Sequence, residues 1–197
     1  MPGTSRPAAA ADLEPRIQAL EDRAAIQNLA ARYGFAVDDR DIDTYADCFT
    51  EDGNFRSDEG RLMRGRGREA VVAEAYERLA MYGPTNHVFH QHLIELDPED
   101  ANRATGKLSL HAEVVRNGEV WISSVRYADE YRRCEDGRWR IADRLLSVFY
   151  YLKPEDYVSR FGNEMRNLVL GEPIAASIPE KLATYRKFHE EHPPPSR

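Results

Sequence analysis

The sequence predicts an α+β domain, and three observations predict it. Three helical stretches come first, four long strands follow as a meander, and the hydrophobic period changes from 3.6 to 2 near residue 86. The first helix is expected over residues 12–39. There Leu13, Ile17, Leu20 and Ala24, then Ile26, Leu29, Ala30, Tyr33 and Val37, recur at three- and four-residue steps. Asp41-Ile-Asp-Thr supplies capping residues for a short second helix carrying Tyr45, Cys48 and Phe49. Thr50-Glu-Asp-Gly-Asn breaks the chain before a short strand around Phe55. The stretch RLMRGRGR (61–68), with its four arginines, reads as a solvated hairpin leading into a third helix over residues 68–81, which Tyr82-Gly-Pro-Thr stops.

The meander begins with a strand over residues 86–97, closed by the turn Asp97-Pro-Glu-Asp. Residues 104–115 alternate, with Leu108, Leu110, Ala112 and Val114 on one face and Lys107, Ser109, His111 and Glu113 on the other. Asn117-Gly118 is a strong hairpin signal, and two further strands follow over 119–133 and 138–150, joined by Cys134-Glu-Asp-Gly137. One face of this sheet must be buried on the helices. Beyond it a C-terminal helical extension is expected over 153–197, from the spacing of Tyr157, Phe161, Met165 and Leu168 and of Leu182, Tyr185 and Phe188. Residues 1–11 read as a disordered arm, because MPGTSRPAAAAD lacks the charged-then-apolar order of a signal peptide.

Composition excludes several classes of function. The 197 residues, 42% hydrophobic and 31% charged, suit one globular domain. A net charge of −7 disfavours nucleic acid as a partner. No run approaches the ~20 apolar residues of a membrane helix. Cys48 and Cys134 sit in unlike contexts and form no CxxC pair, which points to a reducing cytoplasm. GxGxxG, Walker, GxSxG and HExxH motifs are absent, so no nucleotide cofactor or serine-hydrolase elbow has local support. What stands out is His87-Val-Phe-His90-Gln-His92. In a regular strand His90 and His92 share one face, while His87 shares the other with Phe89, Gln91 and Leu93, a mixed lining suited to a cavity. A two-histidine metal pair has no obvious carboxylate to complete it, and neither metal nor cofactor is expected.

The order of elements, with four loose motifs, resembles the nuclear transport factor 2-like superfamily. The motifs are Tyr33-x4-Asp38, Asp41 through Tyr45-x3-Phe49-x2-Asp52, Thr85-x-His87-x6-Ile94-x2-Asp97, and Trp139-Arg-Ile-x2-Arg144. More narrowly the chain is similar to the SnoaL-like branch, which includes scytalone dehydratase, bile acid 7α-dehydratase, a hexachlorocyclohexane dehydrochlorinase and diarylpropane lyases. The resemblance covers roughly residues 15–152 and implies a cone: a curved mixed or antiparallel sheet wrapped around the N-terminal helices over residues 12–152.

It also implies a chemistry. Lyases of this superfamily set a helix acid against a histidine at the start of a long strand, which carries over to Asp38 and His87. Such a carboxylate holds the imidazole in one tautomer, so that the neutral ring can abstract a proton. Tyr33 matches a tyrosine of the bile acid enzyme and is expected to donate to a developing oxyanion. Tyr45, Phe55, Phe89, His111, Trp121 and Arg144 are the expected substrate-binding residues. Phe55 stands where scytalone dehydratase has a tyrosine, so this chain departs from that enzyme. Residue by residue plainer readings stand beside these. Helix periodicity puts Asp38 about 120° off the apolar stripe, as a solvated end-of-helix acid. His111 belongs to a polar face, Tyr33 and Tyr45 are ordinary core aromatics, and Arg144 can simply pair with an acid.

The resulting expectation is a cofactor-independent cytoplasmic lyase of aromatic-compound catabolism. It acts on a small hydrophobic or aromatic molecule, polycyclic or lignin-derived, by dehydration or retro-aldol-type carbon–carbon cleavage. The aromatic residues Trp121, Tyr127, Tyr131, Phe149, Tyr150 and Tyr151 of the last two strands either line a cavity for it or serve subunit contact. The alternatives are a structural subunit like the β-subunits of ring-hydroxylating dioxygenases, a ligand-binding protein, or an isomerase or epoxide hydrolase. The partners expected are a small molecule and further copies of the chain, as a homodimer or homotrimer, with no nucleic acid and no membrane.

Overall fold

A computed structural model of the protein describes residues 13–169 and 171–193; the expected N-terminal arm lies outside them. Helix α1 (Leu13–Asp39) buries Ile26, Leu29, Ala30, Tyr33, Ala36 and Val37 against the sheet. Its apolar stripe outruns that cover: Leu13, Ile17 and Leu20 are exposed. Between the two halves Asp22 is buried, accepting hydrogen bonds from the Trp139 indole N–H (3.0 Å) and Arg133 (2.6 Å), which ties the helix to the last two strands. The helix ends where Arg40 takes a left-handed conformation (φ 62°) and the Asp41 N–H turns back to the Ala36 carbonyl (3.0 Å). Asp41 then caps α2 (Ile42–Asp47), accepting from the Thr44 N–H (3.0 Å).

Strand β1 (Phe49–Ser57) and the short β2 (Arg64–Arg66) form a hairpin, and α3 (Arg68–Ala80) returns across them with Val71, Ala75 and Leu79 buried. The meander is β3 (Tyr82–Leu96), β4 (Arg103–Arg116), β5 (Glu119–Arg133) and β6 (Trp139–Leu152). The six strands make one curved, unclosed sheet in the order β2-β1-β6-β5-β4-β3. Only β1 and β6 run parallel; every other neighbouring pair is antiparallel. The β4–β5 hairpin turns on Asn117 (φ 53°) and Gly118 (φ 80°), both left-handed as the dipeptide leads one to expect.

Two details of β3 differ from the sequence reading. The strand starts at Tyr82, running through the Gly83-Pro84 pair that ends α3, and pairs with β4 from Tyr82 onwards. β3 is the edge of the sheet, where a proline is tolerated, and its register with β4 shifts around Pro84, between Tyr82 and Thr85. The register also slips between Phe89 and His92. Inward positions are therefore Thr85, His87, Phe89, His92 and Ile94, while His90 and Leu93 face outward. His90 and His92 do not share a face, because a bulge adds one residue to the alternation.

The expected C-terminal helical extension is mostly irregular. It comprises a 3₁₀ turn (Pro154–Asp156), the short α4 (Tyr157–Arg160) and α5 (Ala183–Glu191). Between them Asn167 bridges Tyr151 of β6 and Ile174. Gly162, Gly171, Pro173 and Pro179 interrupt any helix there, and β6 offers the backbone groups instead.

Candidate active site

Asp38 and His87 meet where the last turn of α1 reaches the start of β3. The His87 Nδ1 lies 2.6 Å from Asp38 Oδ1, and the His87 backbone N–H donates to Asp38 Oδ2 at 2.8 Å. The Thr85 hydroxyl donates to Oδ1 (2.8 Å) and in turn accepts from the Arg40 guanidinium (3.0 Å). Arg40 also donates to the carbonyls of Val37 (2.6 Å) and Gly83 (2.5 Å), clamping the helix end to the strand. Close packing fixes the same joint: a Cβ on Gly34 would sit 2.3 Å from the Phe89 ring. Burial opposes the charge on Asp38, but hydrogen bonds from the His87 ring, the His87 backbone and Thr85 outweigh it, so its carboxyl sits below the ordinary 3.8. An ionised carboxylate only accepts, so Nδ1 carries a proton, and Nε2 is the nitrogen left to hold a lone pair whenever the ring is neutral. The two side chains are 17% and 15% exposed, largely withdrawn from bulk water.

His87 borders an interior cavity of about 100 Å³, whose walls are mostly apolar. Tyr33 and Phe55 line it, with Tyr127, Leu146 and Val148 from the last two strands. Leu62, Met63 and Val169 close one end, from the β1–β2 hairpin and the C-terminal segment. His87 also touches a crevice outside, between α1 and β3, beside Phe35 and His90.

The other sequence-predicted residues scatter. Tyr45 is buried beside Tyr33 (5.4 Å between ring centroids) but does not line the cavity, its hydroxyl lying within reach of Arg78. Burial pushes that phenol well up from its ordinary value. Phe89 packs edge-on against Tyr33 and borders the outer crevice rather than the cavity. Trp121 shares the inner face but stacks on Tyr151 (5.3 Å), outside the cavity lining. His111 lies on the outer face, 2.7 Å from His90 through their ring nitrogens, far from a role in the cavity. This is where its alternation with Leu110 and Ala112 sends it. Arg144, expected at the substrate, is wholly buried and does not line the cavity. Its guanidinium makes two hydrogen bonds to Asp129 (2.8 and 2.7 Å) and lies over the rings of Tyr33 and Tyr127, 4.3 and 4.1 Å from their centroids.

Sequence reasoning missed Arg40, Asp129, Arg78 and the closing residues Leu62, Met63 and Val169. Arg40 gave no signal, because left-handed helix ends favour Gly or Asn. Asp129 had one: a charged residue on the apolar face of β5, in step with Val125, Tyr127 and Tyr131. Cys48 and Cys134 are free thiols. Among the described residues no three His, Cys, Asp or Glu side chains gather in a way that would hold a metal ion.

Residues 18–145 match the sequence model of a SnoaL-like domain. No curated protein matches the chain. Among solved structures it is similar to a hexachlorocyclohexane dehydrochlorinase, LinA type 2, with TM-score 0.63 and 22% identity over 70% of this chain and 92% of that one. It is also similar to a scytalone dehydratase-like protein from Novosphingobium aromaticivorans, with TM-score 0.63 and 18% identity over 70% and 91% of the two chains. A protein of unknown function from Mycobacterium tuberculosis, Rv3472, is 28% identical with TM-score 0.60, over 73% and 80%. The first two likenesses are likenesses of fold.

Proposed function

The chain belongs to the SnoaL-like domain family, and from its oriented imidazole we propose that it is a cofactor-independent lyase acting on a small hydrophobic molecule with one ring. The observation that carries this reading is the Asp38–His87 pair at a largely apolar cavity, with Nδ1 held at 2.6 Å. A neutral His87 so held can take a proton through Nε2 from carbon beside an activating group, and Asp38 stabilises the imidazolium that forms. In a dehydration the imidazolium returns that proton to the departing hydroxyl, which leaves as water while a carbon–carbon double bond forms. In a retro-aldol cleavage the imidazole takes the hydroxyl proton instead. The carbon–carbon bond then breaks to release an aldehyde, and the remaining carbanion takes up the proton. In this reading Tyr33, a residue of the cavity wall, donates to the oxygen that gathers charge. The names of two structural neighbours, a dehydrochlorinase and a scytalone dehydratase-like protein, are consistent with elimination chemistry.

Size narrows the substrate. The cavity of about 100 Å³ is smaller than the ~150 Å³ apolar cavity that takes up benzene. With flexible Leu62 and Met63 in its wall it can widen to one ring, and a polycycle asks for much more. The test is turnover of a panel of single-ring hydroxy compounds by the purified protein, read as dehydrated product and as released aldehyde. His87→Ala should lower kcat/KM by ~10²–10⁴-fold, the usual share of a general base. Asp38→Asn should cost at least ~10²-fold with the fold intact by circular dichroism, because an amide can present its N–H to Nδ1 and reverse the tautomer. Turnover that survives His87→Ala near the wild-type rate removes the base and the proposal with it.

A further inference from the structure

Arg78, on the inner side of α3, reaches the same cavity as His87 and also borders the groove outside its closed end. A half-buried guanidinium ordinarily has a carboxylate partner. Among the described residues Arg78 forms no ion pair, and the hydrogen bond it makes is to the Met63 thioether (2.9 Å), a weak acceptor. Burial opposes its charge, and the groups that offset this are the tyrosines Tyr45, Tyr33 and Tyr82. Of these, the Tyr45 phenol lies within hydrogen-bonding reach of the guanidinium, a neutral partner that leaves its charge uncompensated. A cation with only neutral partners among the described residues thus stands on the wall of a largely apolar chamber.

The groove outside strengthens the case. Arg61, Arg64, Arg78 and Arg116 border it against two acids, Glu74 and Glu77, on a chain whose net charge is −7. Glu74 is already engaged, accepting the backbone N–H groups of Arg64 (3.0 Å) and Gly65 (2.9 Å). This groove is therefore locally positive on an acidic protein, which draws in small anions and repels cations.

We propose that Arg78 is the anion anchor of this cavity and that the substrate is a ring-bearing carboxylate, its ring among Tyr33, Phe55 and Tyr127 and its carboxylate on Arg78. This rests on the reading of the cavity as a substrate site, not on the lyase chemistry. Arg78 acts in binding and orientation and leaves the proton work to His87. A guanidinium suits the task because it offers a planar pair of N–H donors to two carboxylate oxygens.

The experiment compares benzoate with benzamide, two probes of like shape and different charge, by calorimetric titration of the full-length protein. Wild-type protein should bind benzoate about tenfold or more tightly than benzamide, the difference a charged hydrogen bond makes. Arg78→Met should erase that preference while leaving benzamide binding within a few-fold, and Arg78→Lys should keep part of it. His87→Ala should keep all of it, so that a failure of the proton chemistry and a failure of the anchor read differently. Wild-type protein that binds benzoate no better than benzamide overturns the proposal, whether or not the variants fold. So does a preference that survives in a folded Arg78→Met.

Discussion

Arg144 has side-chain exposure of 0%, as has its partner Asp129, so neither charge has water to fall back on. The pair is completed by the Tyr131 hydroxyl, which donates to Asp129 at 2.7 Å and lies 3.1 Å from His92 Nε2. Tyr33 and Tyr127, themselves edge-on to each other (6.2 Å between centroids), both pack against the guanidinium and also line the cavity. The ion pair therefore acts on the cavity through the rings it holds, as a positioning element. Arg144→Met should destabilise the protein by about 3–5 kcal/mol, because it strands a buried carboxylate. Adding Asp129→Leu should restore a large part of that loss, since the double variant buries no unpaired charge. Urea unfolding of the two variants checks this; a double variant no more stable than Arg144→Met would show that the network, not the stranded charge, sets the cost.

At the scale of elements, the short α2 is held by its last residue. Asp47 accepts hydrogen bonds from Arg32 of α1 (2.8 Å), from Arg140 of β6 (2.8 Å) and from Arg138 before it. Burial opposes the charge, yet these guanidinium groups bring the carboxyl down from 3.8 to about 2. A carboxyl lowered in the folded state contributes its stability above its unfolded value and loses it as pH falls towards the folded one. Asp47→Asn should thus cost about 1–2 kcal/mol near neutral pH, and the gap from wild type should narrow as pH falls from 3.8 towards 2. Urea midpoints at about pH 7 and about pH 2.5 measure it, and an equal gap at both would mean that the interaction is not ionic. The elements themselves were legible in the sequence wherever one period ran unbroken, as in α1 and in β4 through the Asn117-Gly118 turn. The face of His92 was not, because one extra residue at a bulge inverts every later side chain and leaves no mark in composition. Asp38 was missed by periodicity for a related reason. Its flank of α1 lies off the apolar stripe, but Arg40 folds back there and the edge of β3 comes to meet it.

At the scale of the whole molecule, the irregular stretch after β6 completes a chamber that the cone alone would leave more open. Buried Arg166 gathers it, donating to the carbonyls of Phe149 (2.7 Å) and Ile178 (2.9 Å) and to both carboxylate oxygens of Glu180 (2.8 and 2.9 Å). Next along the chain Asn167 pairs with β6, and Arg116 of β4 donates to the Val169 carbonyl at 2.6 Å, which sets Val169 on the cavity wall. None of this was visible as a pattern, because it depends on single side chains bonding to backbone carbonyls rather than on a repeat. Arg166→Met should release the stretch without dismantling the sheet, whose ladders do not depend on it. The expected result is a loss of about 2–4 kcal/mol, with new protease cuts confined to residues 160–182. Arg166→Lys should recover little, since an ammonium cannot reach three carbonyl and carboxylate partners in one plane. Limited proteolysis mapped by mass spectrometry decides it. Cuts spread across the sheet would mean that Arg166 supports the global fold, and an unchanged pattern would mean that the stretch is held to the cone by its apolar contacts instead.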